Sequence, residues 1–390
     1  MWYYNRWSVI KKMTNLPAPA PTQSLFTQSF TSLKDPRRIN KGNIRHSLNE
    51  ILFLLISATI SGCIGLESIK LFGTQHIDWL RKFFPYTKGV PSHDTLGRLL
   101  ASLDVIEFNK CFINWVNNIA DLSPGRVVAL DGKTIRGAAS TAALGSKLHI
   151  VSAFCNNNKI SVGQLTVSEK SNEITAIPKL LELIAIEGCI ITIDAMGCQK
   201  DIAKKIIEQK ADYILQVKGN QKGLLEEIEG TFKGLPIQNS HTDVDMGHGR
   251  VEIRKCDVIS NFELIEQQNL WKNLTSVVRI AAEITDKKSG VTTHNTRYYI
   301  SSIQPDAELI NHSIRSHWGV ENKLHWTLDV VMKEDNQLGR KDNLPENLNI
   351  IKKIGIGLLN KETTEKKSKP LKMQKAYGDD QYRELILNLV

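Results

Sequence analysis

Two apolar runs that each end in a lone aspartate, RVVALD at Arg126–Asp131 and CIITID at Cys189–Asp194, restrict this chain more than anything else in it. Both have the β-branched character and length of buried strands. A carboxylate carried into a buried strand is costly unless opposite charge compensates it. Taken singly, a strand-end Asp most often caps a helix or shapes a turn. Gly132 is expected to break the first strand just after Asp131, leaving that side chain at a strand tip or inside a sheet. Asp194 is followed by Gly197 and a helix bearing Lys200, Lys204 and Lys205. LHIVSAFC and KISVGQLTVSE, joined by Asn156–Asn158, predict an antiparallel meander of the first three strands. EITAIPKLLELIAI then reads as a helix, QKDIAKKIIEQ as another and DYILQVKGN as a strand. The fold class is therefore α/β, a mixed sheet covered on both faces.

A third acid stands downstream. The run Ile314–Asp335, IRSHWGVENKLHWTLDVVMKED, opens as a helix with Asp306 or Asn311 available as a cap, and no proline interrupts it before Pro345. Helical geometry stacks His317, Glu321 and His325 on one face, with Trp318 and Leu324 beside them. Such a stripe is either a solvated polar face or a working one. Two acidic strands and an acidic helix together ask for a divalent cation, since carboxylates are the hard oxygen ligands that Mg²⁺ and Mn²⁺ prefer. A zinc site on the two histidines fits less well, because the pair lacks H-E-x-x-H geometry. Asp329 lies about 80° round the same helix from Glu321, which suits a structural role, and Glu334–Asp335 read as an exposed acidic turn.

DGKTIRGA, ITIDAMGCQKDIA, LQVKGNQK, GHGRVEIR and HWGVENKLHWTLDV, in that order and spacing, resemble the H-repeat-associated branch of bacterial insertion-sequence transposases of the DDE class. The likeness runs from about Phe26 to the C-terminus, through LFG, GVPSHDTLGRLLASLD and DNLPENLNIIKKIGIGLLN. It implies a ribonuclease H-like core with Asp131, Asp194 and Glu321 as the acidic triad. In such a sheet the first and fourth strands lie side by side, bringing Asp131 and Asp194 together. Many related transposases carry Tyr, Arg and Lys around the glutamate at positions −7, −4 and +7, where this chain has Ile314, His317 and Leu328. His317 and Arg315 are then the side chains left to hold phosphate.

The implied chemistry is phosphodiester hydrolysis and strand transfer, with two Mg²⁺ or Mn²⁺ ions ~3.5–4 Å apart and no covalent nucleophile from the protein. Asp131 would bridge both ions, Asp194 hold one and Glu321 the other. Lys133, Arg136, Lys218 and Asn220 become candidates for flanking phosphates, while His317 and His325 either orient Glu321 or touch DNA. The implied partners are double-stranded DNA with terminal inverted repeats, a target DNA, and a second copy of the chain across paired ends. Two other readings stand beside this one: a catalytically inactive DNA-binding relic, and a structure-specific nuclease on the same core.

At 390 residues the chain exceeds the usual size of a single core. Residues 1–30 read as a disordered tail and linker, in which Met13 is an alternative start. Residues 31–108 form a helical domain, 109–220 and 304–360 the catalytic core, 221–303 a β-rich insertion, and 361–390 a basic C-terminal segment. Within the helical domain, PSHDTLGRLLASL reads either as a helix-turn-helix reader exposing His93, Thr95 and Arg98 or as a packing element. DPRRINKGNIRH adds a basic edge of Arg37, Arg38, Lys41 and Arg45. RVEIRKCDVI, LTSVVRIAAEIT and TRYYISSI are the strands expected in the insertion. Alternation puts His248, Arg250, Glu252 and Arg254 on one strand face, either the wet side of a sheet or a clamp on the DNA backbone.

The net charge of +9 favours a polyanionic partner without proving one. Six scattered cysteines without a C-x-x-C pair indicate neither a zinc ribbon nor a disulfide framework, which points to a reducing cytoplasm and, given DNA, to the nucleoid. ILFLLISATISGCIGL falls short of the ~20 residues a membrane span requires and reads as a buried helix.

Overall fold

A computed structural model describes residues 25–38, 44–139, 147–167, 172–247, 249–337 and 339–387. Residues 1–24 of the expected tail, Lys41 and His248 fall outside them, whereas residues 25–30, read as the end of that tail, form a helix whose Phe30 is buried in the main core. Nine strands make one sheet: β1 (Val127–Ala139), β2 (Lys147–Cys155), β3 (Ile160–Val167), β4 (Ile190–Ile193), β5 (Asp212–Val217), β6 (Asn239–Gly247), β7 (Arg250–Ile259), β8 (Ser276–Asp286) and β9 (Thr292–Ser301). Their order is β3-β2-β1-β4-β5-β9-β8-β7-β6. The meander β1–β3 is antiparallel, β1, β4 and β5 are mutually parallel, and β9 joins β5 antiparallel. The first five strands are the ribonuclease H-like core.

The helices are α1 (Leu25–Phe30), α2 (Leu48–Ile60), α3 (Leu66–Gln75), α4 (Ile77–Leu80), α5 (His93–Ser102), α6 (Val105–Ile119), α7 (Glu173–Leu183), α8 (Lys200–Glu208) and α9 (Lys222–Gly234). After the sheet come α10 (Ala307–His317), α11 (Leu344–Lys361), α12 (Lys369–Gly378) and α13 (Asp380–Ile386). The most apolar stretch is α2, capped by a reciprocal Ser47–Glu50 box and buried at every position but Asn49. It packs on α11, which also meets α5, α6 and β3, so the N-terminal helices share one apolar core with the sheet. No helix among the described residues is long and apolar enough to cross a membrane.

Several expectations need correction. The strand β1 does not stop at Gly132 but runs on to Ala139, so Asp131 lies well inside it. The absent side chain leaves room for the His149–Glu173 pair, 2.6 Å apart, and a Cβ at Gly132 would stand 2.1 Å from Glu173 Oε1. The β-rich stretch is no separate body, because β9 pairs with β5 and carries the same sheet outward; it holds four strands, and α9 precedes them. The C-terminal basic segment is folded as α12 and α13, with Arg383 fully buried and stacked on Phe72 and Trp79.

The run after α10 is not one continuous α-helix. It widens at residues 320–325 and 327–331 into π-helical turns, where Trp326 N–H donates to Glu321 C=O and Met332 N–H to Thr327 C=O. Of its two tryptophans, Trp326 is 55% exposed, whereas Trp318 carries the Arg297 guanidinium over its ring at 4.9 Å. The cap is Asp306, which accepts from Leu309 N–H.

Candidate active site

The parallel register sets Leu130 of β1 abreast of Ile193 of β4, so the next residues, Asp131 and Asp194, follow on neighbouring strands ~4.8 Å apart. Asp194 ends its strand by accepting from Met196 N–H at 3.1 Å. Asn220 holds the following turn, donating Nδ2 to Ala195 C=O at 2.7 Å, and Gln221 donates to Cys198 C=O.

Burial first, and then the charges of Glu321, Asp194 and Glu173, push the Asp131 carboxyl up to about 7. The first two of those charges belong to the two other acids expected in the site, Glu321 on the π-helical turn and Asp194 at the end of β4. His325 Nδ1 lies 3.5 Å from Asp131 Oδ2. Burial, reinforced by Lys353 and Lys133, lowers the His325 imidazole to about 3, so the contact joins a neutral ring to a carboxyl and is no ion pair. His317 is likewise lowered by burial, and its Nδ1 sits 3.0 Å from Thr192 Oγ1, two residues before Asp194.

Among the described residues, no three His, Cys, Asp or Glu side chains are drawn close enough to hold a metal ion as they stand. The site is a set of mutually repelling carboxylates, not a closed cage. That donor set suits hard divalent cations such as Mg²⁺ or Mn²⁺, whose charge would relieve the repulsion felt at Asp131.

The expected DNA contacts divide. Lys218, Arg136 and Arg250 have exposed side chains that make no ion pair among the described residues. Lys133 is not free, because its Nζ is held by Asp329 at 2.6 Å and Glu334 at 3.0 Å. Glu334 is only 1% exposed, correcting the exposed acidic turn. Arg254 is buried and paired with Glu252 on the same strand face. Arg315 is engaged by Asp245 and Asp243 of β6. His317 and His325 are largely buried and held by Thr192 and Asp131, whereas Asn220 is exposed and uses its amide to hold the turn after Asp194.

Beside Glu321 lies a groove of about 580 Å³, lined by Arg250, Arg254, Arg297, Arg315 and Lys323 with Trp318. The alternation that placed Arg250, Glu252 and Arg254 on one face holds, since all three line it. Arg297 was missed, although its place in TRYYISSI could have signalled it: position 297 lies two residues before buried Tyr299, on the same strand face.

A ribonuclease H-like sheet with acids on its two central parallel strands and a third acid on the helix that follows describes the DDE class of DNA-processing proteins. The chain belongs to the DDE transposase family: the transposase DDE domain matches residues 122–355, and the DDE_Tnp_1-associated domain matches residues 27–116. Similar proteins include the "H repeat-associated putative transposase YhhI" of Escherichia coli K12, 41% identical over 88% of this chain and 93% of its own length. The "Putative transposase YncI" of Escherichia coli O157:H7 is 40% identical over 82% of this chain and 83% of its own. Among solved structures, a piggyBac transposase synaptic complex with hairpin DNA aligns with a TM-score of 0.43 at 13% identity, covering 94% of this chain and 77% of that one.

Proposed function

We propose that this transposase cuts and joins DNA at the ends of an insertion sequence, with Asp131, Asp194 and Glu321 as its catalytic acids and metal ligands. The observation that carries the reading is the Asp131 carboxyl, raised by burial and by the charges of Glu321 and Asp194. Carboxylates whose charges act on Asp131 in this way are stabilised when a cation or a proton offsets them. A pair of Mg²⁺ or Mn²⁺ ions held there would activate the attacking water or 3′-hydroxyl and stabilise the departing oxygen.

The chain's own part is to aim and to hold. Buried strands fix Asp131 and Asp194, so little reorganisation is needed when the backbone arrives. The neutral rings of His325 and His317 brace Asp131 and the Asp194 strand without adding charge. Arg136 and Lys218, with exposed side chains, and Arg250 and Arg297, which line the groove, are the cations this reading assigns to flanking phosphates. Double-stranded DNA carrying terminal inverted repeats, a target DNA and a second copy of the chain complete the proposed assembly.

The test is a nicking and strand-transfer assay on end-containing duplexes with Mg²⁺ or Mn²⁺, alongside calorimetric Mn²⁺ titration. Asp131→Asn, Asp194→Asn and Glu321→Gln should each abolish product and weaken Mn²⁺ binding while leaving duplex affinity within about threefold. Full activity in any of them removes that acid from the triad; an inactive native chain that still binds ends would make it a relic.

A further inference from the structure

We propose that a second groove, between α5 and the segments at 37–38 and 44–46, is a separate site for the phosphodiester backbone of duplex DNA, remote from the acids. It rests on the reading of the chain as a DNA-processing protein and deepens it by assigning the N-terminal helices a task.

The groove encloses about 790 Å³, and no acidic side chain among the described residues lines it. Arg38, Arg45, Lys88 and Arg98 line it with exposed side chains and make no ion pair among the described residues. The nearby Arg37 differs: Asp35 takes its guanidinium with two hydrogen bonds at 2.8 and 2.5 Å and His46 C=O a third, so it builds the wall. His46 also lines the groove, 7% exposed, with Nδ1 lacking any hydrogen-bond partner among the described residues. A buried ring nitrogen left unpaired is costly unless a ligand or water meets it. Four uncompensated cations around one concavity repel one another, and a regular polyanion is the ligand that turns this cost into attraction.

The groove is also tied to the acids. Asn347 donates Nδ2 to Leu100 C=O at 2.7 Å and to Leu103 C=O at 2.9 Å, bolting α5 to α11. From α11, Lys353 donates to Ser152 Oγ at 2.7 Å, and Ser152 is the cross-strand partner of Asp131. A duplex seated in the groove is thereby held in fixed relation to the acidic residues. That arrangement suits a protein that must grip a DNA end while its chemistry proceeds elsewhere.

The test measures binding alone, by fluorescence anisotropy of the full chain with a 40-base-pair duplex in EDTA across a salt series. The variant combines Arg38→Gln, Arg45→Gln, Lys88→Gln and Arg98→Gln, all on exposed side chains, with an unchanged thermal midpoint as the folding control. Affinity should fall at least tenfold, and the slope of log affinity against log salt should flatten by about 0.9 for each phosphate the variant no longer neutralises. Unchanged affinity and slope, or equally tight binding of polyglutamate or single-stranded RNA, would overturn the proposal. If Arg250→Gln with Arg297→Gln weakens binding while the fourfold variant does not, only the groove is refuted. A native chain that binds no duplex refutes both readings.

Discussion

Lys133 Nζ lies 2.6 Å from Asp329 Oδ1, across 196 positions of sequence, and that bridge separates the acids of the 314–335 run by task. Asp329 and Glu334 neutralise a lysine two residues beyond Asp131, whereas Glu321 is the acid of that run whose charge helps raise the Asp131 carboxyl. The two bridges differ in value. The Asp329 side chain is 37% exposed, so Asp329→Asn should cost only about 1 kcal/mol. Glu334 is buried and also accepts from Asn349 Nδ2 at 2.7 Å, so Glu334→Gln should cost about 3 kcal/mol. Urea midpoints of the two variants check this ordering, and Asp329→Asn should keep nicking activity that Glu321→Gln loses.

Lys353 gives a pH signature. Burial lowers its amine from the ordinary lysine range to about 7, with Glu334 opposing the shift and Lys133 adding to it. Between pH 7 and about 10 the unfolded chain would hold this proton and the folded chain would not, so the group makes stability rise with pH, by at most about 1.4 kcal/mol per unit. Below pH 7 both states are protonated and the contribution is flat. Urea unfolding of the native chain and of Lys353→Met at pH 7, 8 and 9 should show the difference between them growing in favour of the native chain. A constant difference would mean that the amine stays charged at Ser152 and Gln164.

Gly132 makes a packing prediction. A methyl group there meets Glu173 Oε1 at 2.1 Å and His149 Nε2 at 2.5 Å, and His149 is further pinned by Thr134 Oγ1 at 2.8 Å. Gly132→Ala should therefore destabilise by about 1–3 kcal/mol and depress activity through the neighbouring Asp131. Adding Glu173→Ala should recover part of the stability in a double-mutant cycle, and strict additivity would exclude the clash.

The strand acids were legible because burial leaves a distinct mark: a β-branched apolar run that tolerates one aspartate. The order of strands and helices from Val127 to Val217 followed from the same periodicity. The fate of the basic residues was not legible, since pairing depends on what a distant segment brings. Nothing near Lys133 in sequence announces Asp329, and nothing near Arg315 announces Asp243 or Asp245. Helix winding was hidden too, because a four-residue spacing suits an α-helix and a π-turn almost equally until the i−5 bonds are seen. The extension of the sheet through β9 depended on a pairing with β5 some eighty residues away in sequence.

The arginines around the groove beside Glu321 can be told apart by what each one loses. Arg254 is buried against Glu252, so Arg254→Ala removes an internal partner and should lower the urea midpoint while changing the salt dependence of DNA binding little. Arg250 is exposed on the same strand face, and Arg297 holds its guanidinium over the Trp318 ring while lining the groove. Arg250→Ala and Arg297→Ala should weaken binding to every duplex alike, each flattening the log–log salt slope by about 0.9. For Arg297 the stacking matters as well as the charge. Arg297→Lys should retain most of the salt slope but lose affinity, because an ammonium cannot lie against the indole as a planar guanidinium does. Anisotropy titrations between 50 and 200 mM salt measure all four variants together. A salt slope that falls with Arg254→Ala but not with Arg250→Ala would invert the assignment and make the buried pair one that opens onto DNA.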